Sequence, residues 1–278
     1  MFPHRIAVWR DTRDYADCIP APPVSQKFRY RPDDAWNKPS VGMKVTVQDE
    51  DCLVASKRLI DAGMNPAVLN LADILAPGGC VESGSDAQEE SIFRRSNITK
   101  TLTSQLYPIH PDEAIYSAGI SIFRAPESQG HVFLEEPYKV SVISCPGLYR
   151  PQLDASGKIA AQHIKQLECK LDLVLKLAAC FGHDSVVLGP MGCGAWQNNP
   201  EEIAEVFKRV LQRDAWGLKQ VTIACLSTGN QGMEKSPYLR HKSNYQWFSE
   251  ALCPGTILSA DKQEDETADS EALSQESP

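Results

Sequence analysis

Two adjacent carboxylates, Glu89 and Glu90, close the run PGGCVESGSDAQEE from Pro77 to Glu90. Breaking a glycosidic bond needs a carboxyl group that can protonate a leaving oxygen and later activate water, and this pair supplies such groups. Gly78 and Gly79 precede them within loop reach. Glycine lets the backbone approach a ligand closely and turn amide N–H groups towards it, which suits a phosphate. A second glycine-rich run, Gly189 to Pro200 (GPMGCGAWQNNP), leads into a predicted helix start and forms a second candidate anion cradle. Trp196 within it offers a flat apolar surface for a ribose or base, or serves as an interior indole with a satisfied N–H. Asn70 and Asp73, just ahead of the first loop, either hydrogen-bond sugar hydroxyls or hold the turn with their own side chains.

The charge state of the pair depends on its surroundings. A helix N-terminus lowers a carboxylate pKa, whereas a bound diphosphate nearby favours the protonated form. Asp86 with Glu89 three residues on has the spacing of a capping box. If Glu89 folds back in this way, Glu90 is the freer group and projects towards the crevice.

These residues need a frame that brings both loops together. Lys44–Gln48 alternates like a strand, and Cys52–Ala62 carries helix-spaced apolar residues ending at Gly63. Ala67–Leu71 is a short apolar strand running into the first loop, and a helix runs from the carboxylates towards Leu102. Ile120–Arg124, Val140–Cys145, Asp184–Gly189 and Gln220–Cys225 read as strands. Ile159–Cys180 and Pro200–Gln212 read as helices, the latter with Asn198 or Asn199 before Pro200 as an N-terminal signal. Strands alternating with helices argue an α/β fold with a mixed central sheet and helices on both faces. Ligands bind such sheets outside the carboxyl ends of the strands, where both glycine loops fall. The first 40 residues show no sustained period and read as an irregular N-terminal arm packed on the domain.

Composition narrows the function classes. Of the net charge of −8, the segment from Asp261 onward carries −6, which leaves −2 for everything before it. No basic face emerges, so direct nucleic-acid binding is not expected. No apolar run is long enough for a membrane span, and the first residues lack a signal-peptide pattern. Nine cysteines without a CxxC pair fit a reduced intracellular protein, cytoplasmic or nuclear; Cys145, Cys180 and Cys225 read as buried thiols. Neither the cysteines nor the six histidines show metal spacing, and His163 reads as a helix-surface residue. The acidic, Ser/Glu-rich tail after Ala260 reads as disordered.

The run VLNLADILAPGGCVESGSDAQEESIFRRS, Val68 to Ser96, resembles the signature of poly(ADP-ribose) glycohydrolases of the bacterial and fungal type. These are built on a macrodomain and carry a GGG loop followed by QEE. The resemblance extends through Lys44–Gly63, Ile120–Arg124, Val140–Leu148 and Leu188–Pro200. It implies a macrodomain-like three-layer fold, residues 41–258 as the glycohydrolase domain, and 259–278 as a tail. It also implies hydrolysis of the ribose–ribose O-glycosidic bond of poly(ADP-ribose), without metal or cofactor, on the polymer or on ADP-ribosylated protein. Release from chain ends by a monomer is the expectation set beside it, with internal cleavage the alternative. By matching positions Glu90 is the general acid/base and Glu89 orients the scissile ribose. Asn70, Asp73, Gly78, Gly79, Cys80 and Gln88, with Gly192, Cys193, Gly194, Ala195 and Trp196, are implied substrate contacts. Cys80 departs from the pattern by replacing the third glycine; if that position needs positive φ, a side chain there is strained. Two alternatives stay open: a non-catalytic ADP-ribose-binding macrodomain, and a hydrolase of mono-ADP-ribosyl or O-acyl-ADP-ribose linkages.

Overall fold

A computed structural model describes residues 3–31, 42–213, 216–227, 238 and 242–253. The tail expected at 259–278 lies outside these residues.

Among the described residues seven strands form one sheet: β1 (Gln26–Arg29), β2 (Lys44–Gln48), β3 (Pro66–Asn70), β4 (Glu113–Arg124), β5 (Phe133–Ser144), β6 (Ser185–Leu188) and β7 (Gln220–Ala224). Their order is β1-β4-β5-β3-β6-β7-β2. β1, β4 and β5 pair antiparallel, while β5, β3, β6, β7 and β2 run parallel, so the sheet is mixed, as the alternation of elements implies.

Helices cover both faces. Successive strand residues point to opposite sides, and β3 sends Ala67 and Leu69 into one core and Val68 into the other. β6 divides in the same way, with Val186 and Leu188 against Val187. The first core is closed by α4 (Ala161–Cys180), α5 (Pro200–Leu211) and α6 (Asn244–Leu252) through Leu171, Phe207 and Phe248. The second is closed by α1 (Pro3–Cys18), α2 (Cys52–Asp61) and α3 (Gln88–Arg95) through Trp9, Leu53 and Phe93. This is the three-layer arrangement that the resemblance implies.

The N-terminal segment differs from the irregular arm read in the sequence. It opens with the sixteen-residue α1 and contributes β1 as an edge strand. The helix buries only Val8, Trp9, Thr12 and Ala16, a narrow strip of mixed size and polarity. Its docking is largely polar: Arg5 pairs with Asp86 and Glu127, and the Thr12 hydroxyl donates to the Arg94 carbonyl at 2.6 Å. Such a helix has no strong apolar period to read.

Cys145 and Cys225 are buried as expected, but Cys180 is exposed at the end of α4. Its position at the last turn, past the core-facing residues, turns it outward despite the apolar run around it. No helix among the described residues is long and apolar enough to cross a membrane.

Candidate active site

Helix α3 is held at both ends by side chains rather than by its own cap. The expected capping box is absent: Ala87 is the N-cap residue and makes no side-chain cap bond. Asp86 instead forms an ion pair with Arg5 of α1. Gln88 takes over the anchoring, accepting from Leu71 N–H at 2.7 Å and donating to the Leu69 carbonyl at 2.6 Å. Both ends of its amide are engaged by the backbone at the end of β3, so it positions the helix instead of reaching into the crevice. At the other end Arg95 donates to both carboxylate oxygens of Asp51 at 2.8 Å, while Asp51 also caps α2. The helix stops at Arg95, short of Leu102.

These anchors bring the two acids under the first glycine loop. Glu89 accepts from Asp73 N–H at 2.7 Å, Gly78 N–H at 3.1 Å and Asn70 Nδ2 at 3.2 Å. Glu90 accepts from Cys80 N–H at 3.0 Å on Oε1; its Oε2 has no hydrogen-bond partner among the described residues. Glu89 is 3% and Glu90 6% exposed. A Cβ built on Gly79 would lie 2.9 Å from Glu90 Oε1 and 3.3 Å from Glu89 Oε2, so glycine here keeps room for both carboxyl groups.

The first loop therefore differs from the phosphate cradle read in the sequence. Gly78 and Cys80 turn their N–H groups inward to the carboxylates, and Gly79 N–H closes on the Ala76 carbonyl. An amide donor satisfied by a carboxylate has no free proton for a phosphate. Asp73 likewise belongs to the turn, its carboxylate accepting from Leu75 and Ala76 N–H. Asn70 donates to both Glu89 and Ser144 Oγ, and its buried Oδ1 has no partner among the described residues. Cys80 has φ −100°, an ordinary conformation, so its side chain carries no strain where the third glycine would stand.

The second loop presents the opposite arrangement. The N–H groups of Gly194, Ala195 and Trp196 have no partner among the described residues. Gly192 has φ +74°, and an added Cβ would overlap Asn198 Nδ2, which ties the loop to the carbonyls of Leu148 and Gly192. Cys193 points its thiol into the core, where burial raises its pKa well above the ordinary range, so only its backbone borders the crevice. Trp196 is half-buried and meets Tyr149 edge-on at 5.6 Å. The helix end after this loop adds less than expected: Asn199 caps α5, and Glu201 and Glu202 in its first turn already complement its N-terminal charge.

Burial pushes Glu89 up to about 7, against the downward pull of its three donors, and the neighbouring Glu90 charge adds to the rise. Arg94 lies one turn after Glu90, 1% exposed, with its guanidinium attracted to that carboxylate. Arg94 was not singled out in the sequence, although its i, i+4 spacing from Glu90 is the signal that could have found it. Tyr107 was not singled out by any sequence signal. Its buried hydroxyl lacks a partner among the described residues, and burial, together with the Glu89 and Asp73 charges, raises its pKa. No group of three potential ligands that could hold a metal occurs among the described residues.

Residues 12–125 match the family model described as microbial-type PARG, catalytic domain, where PARG is poly(ADP-ribose) glycohydrolase. No curated protein matches the chain. Among solved structures, the poly(ADP-ribose) glycohydrolase of Thermomonospora curvata is 24% identical with a TM-score of 0.71, over 89% of this chain and 99% of that one. The same protein bound to the inhibitor ADP-HPD gives 25% identity and a TM-score of 0.72 over the same shares. The T267R variant of the Deinococcus radiodurans glycohydrolase, in complex with ADP-ribose, is 25% identical with a TM-score of 0.65, over 88% of this chain and 98% of that one. The resemblance drawn from the QEE run is thus borne out by the family match and by the fold.

Proposed function

We propose that this chain, a relative of the microbial-type poly(ADP-ribose) glycohydrolases by family match and by fold, hydrolyses the ribose–ribose O-glycosidic bond of poly(ADP-ribose) and releases ADP-ribose. One observation carries the assignment of roles: two buried carboxyl groups lie together under the first loop, one held by three donors and the other by a single amide.

Glu90 is the general acid/base. Protonated, it gives its proton to the leaving ribose oxygen as the glycosidic bond breaks; as the carboxylate, it takes a proton from the water that attacks the anomeric carbon. The proton returns to Glu90 and the cycle closes. Glu89 orients the reacting ribose: three donors fix its position and leave one acceptor site for a sugar hydroxyl. The free Oδ1 of Asn70 takes a second hydroxyl. The diphosphate rests on the N–H groups of residues 194–196, with Trp196 against the adjoining sugar. Cleavage proceeds from chain ends. Nine free thiols fit an intracellular setting.

The reading of a binding module without turnover stands on Cys80 in place of the third glycine; its φ of −100° removes backbone strain as a ground and leaves the bulk of the side chain as the remaining one. The test is release of free ADP-ribose from poly(ADP-ribose), with a mono-ADP-ribosyl peptide as the comparison substrate. Glu90→Gln is expected to lower kcat about 10³-fold, the scale of a general acid/base, with ADP-ribose affinity within about twofold. Wild-type turnover in that variant overturns the role of Glu90. A wild-type protein that binds ADP-ribose but releases none overturns the activity.

A further inference from the structure

A cavity of about 260 Å³ opens beside the carboxylates, outside the residues assigned above. The chain after β5 forms one wall, Ile74 and Ile109 another, and α4 the floor with His163, Gln166 and Lys170. Ile74 directly follows Asp73, whose N–H holds Glu89. Gly147 packs against Gly192 so closely that a Cβ on it would lie 2.8 Å from the Gly192 nitrogen. The cavity therefore continues the crevice.

Its end of the crevice is fixed by strand order. Asn70 at the end of β3 bridges Glu89 to Ser144 at the end of β5, so the reacting sugar lies on the β5 side. The amides that take the diphosphate come after β6, on the opposite side of β3. A cavity beyond β5 thus lies across the bond to be cut, away from the unit that is released.

Lys170 gives this cavity its chemistry. It is 3% exposed and forms no ion pair or hydrogen bond among the described residues; the buried thiol of Cys145 feels its charge. The Lys170 Nζ is not sealed from solvent but opens into the cavity, so the cation stands free to meet an anion there. Arg150 and His163 add basic groups, and no carboxylate lines the cavity. Tyr149, 59% exposed at the rim, offers an aromatic face.

The geometry points to a second substrate subsite, in which Lys170 and Arg150 hold the phosphate of the nucleotide unit on the far side of the scissile bond. This inference rests on the polymer substrate proposed above, and it gives the site a preference for chains over single units.

Binding separates the two ideas. With Glu90→Gln as background, Lys170→Met is expected to weaken poly(ADP-ribose) binding about tenfold and to leave ADP-ribose affinity within about twofold. Lys170→Arg should restore polymer binding. Arg150→Ala, at an exposed position that folding does not require, should weaken it about threefold. In the active protein Lys170→Met should raise KM for the polymer with kcat unchanged. Unchanged polymer affinity in a folded Lys170→Met protein and in Arg150→Ala overturns the subsite, as does an equal loss of ADP-ribose affinity. A wild type without turnover refutes the activity alone, since the binding arm still reads the subsite.

Discussion

The two glycine turns leave neighbouring parallel strands and share a composition, yet their backbones serve opposite purposes. The turn after β3 folds its N–H groups inward onto Glu89 and Glu90. The turn after β6 leaves three successive N–H groups without partners among the described residues. The difference lies in the acids that come next along the chain. Two acids after the first turn are drawn beneath it by the anchoring of Gln88, and they occupy its donors. Those after the second, Glu201 and Glu202, sit beyond an Asn199 cap and complement the helix end instead. One turn therefore aims acid/base groups, and the other is left to grip an anion.

Variants in the two turns should separate these roles. The largest effect is expected from Gly192→Ala, where positive φ and overlap with Asn198 combine. A loss of about 2–4 kcal/mol of stability is expected by denaturant unfolding, with ADP-ribose binding impaired in whatever fraction folds. Gly79→Ala should act on chemistry instead. Its φ of +51° and the nearby Glu90 oxygen mean that a methyl group displaces the acid, and kcat is expected to fall about 100-fold with a smaller change in ADP-ribose affinity. If Gly79→Ala weakened ADP-ribose binding as much as it slowed turnover, the first turn would be a phosphate grip after all.

Glu89 adds a pH signature peculiar to the first turn. Its folded pKa, about 7, lies above the ordinary carboxyl value of 4.5, so between those pH values the folded state holds a proton that the unfolded state has released. This group's contribution to stability is therefore full below about pH 4.5 and declines as pH rises to about 7, on the order of 1–3 kcal/mol. Thermal melts of wild type and Glu89→Gln across that range should show the slope in the first and its absence in the second. The smallest effect belongs to Cys80→Gly. With φ already at −100°, glycine relieves nothing there, so turnover should stay within about twofold and stability should drop by less than about 1 kcal/mol. A marked gain in activity would show that the cysteine crowds the site.

Much of the frame was legible in the chain. Strand β3, helices α2, α4 and α5, and the strands preceding both turns were marked by apolar period and by Asn199-Pro200 at a helix start. The helix at the N-terminus was not, because Arg5 and Thr12 dock it by polar contacts that leave no apolar stripe. Within the site, the carboxylate pair was evident from adjacency alone. Asp86 illustrates the limit: its spacing to Glu89 satisfied a local capping rule, but Arg5, eighty-one positions earlier, captured it.

The order of residues by itself determined which chemistry is available: two acids, two glycine turns after strands, and an aromatic residue beside the second. Local spacing governs these features, since a turn, a cap or a helix period involves only near neighbours. The direction in which each amide points was decided only by the tertiary structure. An N–H group is satisfied by whichever acceptor the fold brings within about 3 Å, and packing α1, α3 and β3 together made that acceptor Glu89 or Glu90 in the first turn while leaving the second turn open.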